Sequence, residues 1–168
     1  MVKSLFILVF LWGCSSQQHQ KQQQLRSSFQ SGKYEEALSQ IDGNKKKRSK
    51  LLYFMEKASI YHSMGQYEQS NRYFDLAKKM TRELYTKRIS SKLATLVTND
   101  SKDIYYGVPY EWSMVHFYKS LNHILLAQRG ATLEYKTKEG KKEIVVPART
   151  LSKNEVAQER GRARSELL

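Results

Sequence analysis

Two short segments repeat one pattern, at a separation that limits what the chain can fold into. The first is Gly32-Lys33-Tyr34-Glu35-Glu36-Ala37 and the second is Gly65-Gln66-Tyr67-Glu68-Gln69-Ser70, with the glycines 33 residues apart. Gly at such a point suits a helix-ending turn, because positive φ costs it little. After Gly65, the residues Tyr67, Ser70, Phe74 and Ala77 follow at spacings of three and four, so they share one helical face. Ala58 and Tyr61 lie upstream of the same glycine. A helix, a Gly turn and a second helix make one unit, and a unit of this length buries its apolar face only against neighbours. The chain is therefore expected to be mainly α.

The period and these residues resemble the tetratricopeptide repeat, which recurs at about 34 residues. The resemblance implies a role for each position. Ala58 lets two helices approach, and Gly65 sits at the turn. Tyr67 wedges between the helices, with Tyr61 upstream in the first of them. Ser70 and Ala77 are small at the crossing, and Phe74 fills the seam. Ser70 departs from the Ala usual in the family. The earlier unit is weaker. Gly32, Tyr34, Ala37 and Ile41 fit its second helix, but its first must come from residues 20–31, where Leu25 and Phe29 are the apolar members. The expected fold is tetratricopeptide-like helical hairpins over residues 25–130, an α-solenoid fragment. A small β-hairpin follows at 131–150 and a terminal helix at 151–168.

The N-terminus carries a separate signal. Met1-Val2-Lys3 is a short basic start, and residues 4–12 are a compact apolar run. Together they read as the opening regions of a secretory signal over residues 1–13. The run is far shorter than the roughly 20 apolar residues that span a bilayer. Leu11-Trp12-Gly13-Cys14 resembles a bacterial lipobox, in which a small residue precedes the Cys that accepts the lipid; Trp12 is larger than the family uses. The resemblance implies lipidation at Cys14, the one cysteine of the chain. Ser15 rather than Asp follows, which resembles the default outer-membrane address and implies a lipid-anchored protein facing the periplasm. Residues 14–24 are polar and Gln-rich and are expected to be a flexible tether.

Between the two repeat-like segments, Asp42-Gly43-Asn44 is turn chemistry. Five cations, Lys45, Lys46, Lys47, Arg48 and Lys50, then crowd into six positions. They offer a contact for an anionic surface, or they are a solvated loop. The whole chain has 29 basic and 16 acidic residues, a net charge of +13, which favours anionic partners. Its aromatic content of 11% is too high for a disordered chain.

Residues 80–97 continue helical, with Asn99-Asp100-Ser101 as a break and residues 103–110 as a loop containing Gly107 and Pro109. Tyr105, Tyr106 and Tyr110 either form a binding surface or cover apolar groups beneath them. Residues 111–128 follow as a strongly apolar helix. Its expected buried stripe is Trp112, Val115, Tyr118, Leu121, Leu125 and Leu126, and Arg129-Gly130 ends it. Glu83-Leu84-Tyr85-Thr86, Leu96-Val97-Thr98-Asn99-Asp100, Tyr106-Gly107, Glu111 and Tyr118-Lys119-Ser120-Leu121-Asn122 carry a further resemblance, to a family of bacterial tetratricopeptide lipoproteins. It covers about residues 33–126. That family has no established biochemical activity and supplies no catalytic residues; its members are generally longer, which implies that this chain is truncated or has a divergent end.

In the tail, residues 132–137 alternate, residues 138–141 are a turn, and residues 142–146 are strand-like, so a β-hairpin is expected. Ser152-Lys153-Asn154-Glu155 has the form of a capping box and should start a helix that runs to about Leu168. That helix is charged and sparsely apolar. It is expected to dock on a missing element or on a partner.

No arrangement of residues supports catalysis. His116 and His123 are seven apart on one helix but lack companions at metal-ligand spacing, so both are read as packing or groove residues. His19 falls in the tether and His62 in the second hairpin. No cofactor and no metal is expected. The leading reading is a non-catalytic, membrane-anchored scaffold that binds an envelope protein or peptide. The alternative is a basic module for anionic envelope polymers or lipid headgroups. Nucleic acid is not expected for an exported chain.

Overall fold

The computed structural model describes residues 13–45, 49–94, 109–139 and 142–168. This part is mainly helical, with short antiparallel strand pairs near its end. It divides after Gly43 into two units.

In the first unit, α1 (Gly13–Gln30) is joined by a tight turn to α2 (Tyr34–Gly43). The Gln-rich stretch expected to be a flexible tether is helical, as part of α1. Gln, Lys, Leu and Arg lose little rotamer freedom in a helix, and neither Gly nor Pro interrupts residues 15–30. The sequence lacks an apolar stripe there, and residues 19–24 are exposed. The turn uses Gly32 at φ +74°. The amide of Gly32 donates to the Phe29 carbonyl (3.1 Å) and that of Lys33 to the Ser28 carbonyl (2.9 Å). This pair of bonds satisfies two helix-end carbonyls that would otherwise lack partners. Tyr34 meets Phe29 edge-on at 5.6 Å, while Ala37 and Ile41 are fully buried.

The second unit repeats this turn. α3 (Lys50–Ser63) is capped by Ser49, whose hydroxyl accepts from the Leu52 amide. α4 (Tyr67–Ala94) follows after Gly65, at φ +72°. The amides of Gly65 and Gln66 donate to the carbonyls of His62 and Tyr61, both at 2.9 Å. The two glycines singled out by the repeat thus close the same hydrogen-bonded turn. On α3 and α4, Ala58, Ser70 and Ala77 are fully buried and Phe74 nearly so. Tyr61 stacks on Tyr73 at 5.4 Å, and Tyr67 sits beside His62.

α5 (Pro109–Arg129) starts at a proline, which suits a first helical position because its missing N–H would have no intrahelical partner. Val115 joins Ala58 and Phe74 in the apolar core, with Tyr118 stacked on Phe74 at 6.1 Å. The expected buried stripe is only half apolar. Val115 and Leu126 are buried, but Trp112, Tyr118, Leu121 and Leu125 are half-buried, and Lys119, Ser120, Asn122, His123 and Ala127 take the other buried positions. The physical reason is what covers that side: polar groups of α3 and α4 face Asn122, and a polar helix described below faces Lys119, Ser120 and His123. Residues 95–108, with Tyr105 and Tyr106, lie outside the described part; Tyr110 is 70% exposed at the start of α5.

Two strand pairs separate α5 from the last helix. β1 (Ala131–Thr132) pairs with β4 (Arg149–Thr150), and β2 (Tyr135–Glu139) pairs with β3 (Lys142–Val146), Tyr135 opposite Val146 and Glu139 opposite Lys142. The expected β-hairpin is present, and the β1–β4 pair is a neck beneath it. α6 (Lys153–Ser165) begins with the expected capping box: Ser152 Oγ accepts from the Glu155 amide and Glu155 Oε2 from the Ser152 amide (2.8 Å). The expectation that this helix needs an absent element or a partner is corrected. It packs antiparallel on α5, with Ser120 donating to the Ala163 carbonyl at 2.9 Å.

Candidate functional site

Helices α4, α5 and α6 enclose an open groove of about 680 Å3. α4 contributes Arg72, Asp75, Leu76 and Lys79 to its lining, and α6 contributes Arg162 and Ser165, with Glu166 as its C-cap. The buried side chains of Lys119 and His123 form the floor, with Tyr135 at one end. Charges of both signs line it, so it suits a polar chain segment better than an apolar small molecule, for which pockets are usually mostly apolar.

Beneath the floor runs a chain of buried hydrogen bonds. Ser70 Oγ donates to the Ala58 carbonyl at 2.8 Å and accepts from Asn122 Nδ2 at 2.8 Å. Asn122 Nδ2 also donates to Asn71 Oδ1 at 2.8 Å, and Asn122 Oδ1 accepts from His62 Nδ1 at 2.6 Å. The Asn71 amide nitrogen stands 3.3 Å from the His123 ring nitrogens, and His123 Nδ1 donates to Glu159 Oε2 at 2.5 Å. Arg162 completes the series with a bond to Glu159 Oε1. Four helices are tied in this way through polar groups that would each be costly to bury alone.

At the other end of α6, Glu166 gathers three donors. Lys119 Nζ reaches Glu166 Oε1 at 2.5 Å, while Lys78 Nζ and His116 Nδ1 reach Oε2 at 3.0 and 2.9 Å. Burial pushes the Glu166 carboxyl up, but the ammonium groups of Lys119 and Lys78 outweigh it and hold the carboxyl at about 2. Burial likewise opposes ionisation of Lys119, and its bonds to Asp75 and Glu166 prevail and raise it. Glu159 is lowered in spite of burial, by His123 and Arg162. Glu68 is raised, chiefly by burial.

The sequence reading placed His116 and His123 on one helix face as packing or groove residues, and both stand beside α6. Their partners, Glu159 and Glu166, were missed. The available signal was spacing, since these carboxylates are also seven apart. Lys119 and Asn122 carry a signal in the sequence only as members of the family-like motif, and Asp75 and Asn71 carry none. Of the basic joint, Lys45 lies 5.2 Å from the Tyr53 ring centre and Lys50 is exposed at the start of α3; Lys46, Lys47 and Arg48 lie outside the described residues. Residues 1–12 of the signal region, Trp12 among them, also lie outside them, and Gly13 and Cys14 fall in the first turn of α1. Among the described residues, no three His, Cys, Asp or Glu side chains are grouped to hold a metal ion, and no helix is long and apolar enough to cross a membrane. Compared with protein-family models, curated proteins and solved structures, the chain matches none.

Proposed function

We propose that this protein is a non-catalytic, lipid-anchored scaffold of a bacterial cell envelope. In this reading Cys14 carries the lipid on an outer membrane facing the periplasm, and tetratricopeptide-like hairpins present a binding groove to a protein or peptide. The observation that carries the reading is the groove between α4, α5 and α6, a surface about 680 Å3 in volume lined by charges of both signs. The lipobox-like Leu11-Trp12-Gly13-Cys14 supports the anchor. The recurrence of one Gly turn at Gly32 and Gly65 supports the repeat. Two lipid chains anchor a protein stably, because each buried CH2 contributes about 0.8 kcal/mol.

The test compares wild type with Cys14→Ala by radiolabelled palmitate incorporation, and then by cross-linking in intact envelopes. The wild type should incorporate label and yield one reproducible cross-linked protein, and Cys14→Ala should incorporate none. An unlabelled wild type refutes the anchor. Cross-linking that yields no specific partner refutes the scaffold.

A second reading, a basic module for anionic polymers or lipid headgroups, is favoured by the net charge of +13 and by exposed Lys45 and Lys50.

A further inference from the structure

α6 is held to its unit by charge and hydrogen bonds rather than by an apolar stripe. Its buried residues are Glu159 and Ala163. A helix docked permanently on a core usually turns an apolar face toward it. Here the contacts follow a seven-residue register. His116 and His123 on α5 are seven apart, as are Glu159 and Glu166 at the α6 end of the chain. The two sets run antiparallel, so His123 meets Glu159 at 2.5 Å and His116 meets Glu166 at 2.9 Å. Lys119 and Lys78 add their donors to Glu166, and Ala163 fits between the two carboxylates against Ser120.

His116, Lys119 and His123 on α5 therefore form a row of N–H donors at helical pitch, with Lys78 of α4 beside it. We propose that this row is a recognition surface for a helix that carries carboxylates seven residues apart around a small residue, and that α6 is its resident occupant, displaced when a partner helix of that pattern binds. The proposal rests on the scaffold reading and adds the class of partner, which takes the place of α6 as one wall of the groove. Polar contacts of this kind exchange with water at small net gain, so a helix held by them can be released without dismantling the core. The net charge of +13 further favours an acidic partner over a basic one.

The probe is a fluorescein-labelled peptide of residues 152–168, added to the full-length chain. Two variants release α6 while leaving the donor row intact. Ala163→Arg forces a long cation into a position that is 5% exposed. The double variant Glu159→Gln with Glu166→Gln removes both carboxylate charges. In each, amide exchange in α6 should accelerate at least ten-fold while α3 and α4 stay protected. The peptide should bind each variant at least ten-fold more tightly than wild type, and a peptide carrying the same two Gln substitutions should not bind. Three results overturn the proposal: α6 amides as protected as in wild type, protection lost from α3 and α4 together with α6, or a released α6 with no peptide bound. None of these readings depends on recovering an envelope partner, so the scaffold reading can fail separately.

Discussion

Asn122 is fully buried, and its amide joins Ser70, Asn71 and His62. Truncation would leave those groups short of partners in a site that water does not reach. Asn122→Ala should therefore destabilise the chain by about 2–4 kcal/mol, read as a lower urea midpoint with little change in slope. Gly65→Ala is expected to cost about 1–2 kcal/mol from its left-handed backbone alone. The added methyl would also sit 3.0 Å from Arg129 Nη2, whose guanidinium bonds the Gly65 carbonyl and lies over Tyr67. The same change at Gly32 meets nothing within 4 Å, so it should cost less by the same urea measurement. At this scale the sequence was legible where one residue type has one reason to be present, as with Gly65 or Ala58. It was opaque at Ser70, which reads as a small residue at a crossing but also carries a hydroxyl bonded to two other helices.

Among the elements, the hairpin of α3 and α4 and the capping box of α6 were legible because their signals are local, a turn glycine and a four-residue cap. The polar docking of α6 was not, because it depends on a pairing between residues about 40 positions apart, such as His123 and Glu159. The same long-range pairing explains why the stripe expected on α5 came out half polar. It also predicts a pH dependence. Glu166 has a folded-state value of about 2, below the ordinary carboxylate value of 4.5. A depressed carboxyl stabilises the docked helix above the ordinary value and loses that contribution as pH falls through the folded one. The groups facing it are Lys78 on α4 and His116 and Lys119 on α5, with Asp75 of α4 sharing Lys119. Exchange protection of α6 should hold above about pH 4.5 and decline toward pH 2, with Glu166→Gln showing less of this dependence.

For the whole molecule, charge is the property most directly read from composition, and it bears on the second functional reading. Basic residues near an anionic membrane contribute about 1 kcal/mol each, screened by salt. If the Lys45–Lys50 joint is such a contact, exchanging its five cations for Gln should weaken sedimentation with phosphatidylserine vesicles at low salt and have little effect at high salt. Vesicle binding that ignores both the substitution and the salt refutes that contact. The neck formed by β1 and β4 has a separate consequence. Ala131 pairs with Thr150, Thr132 pairs with Arg149, and the Leu151 amide donates to the Gly130 carbonyl at 2.8 Å. The excursion through β2 and β3 is thus closed at its base, and α6 departs from beside the point where α5 ends. A released α6 stays on a short leash, at an effective concentration that for short linkers is on the order of millimolar. A competitor at cellular abundance must bind the donor row far more tightly than α6 does, so the neck sets the threshold that a competing helix has to exceed.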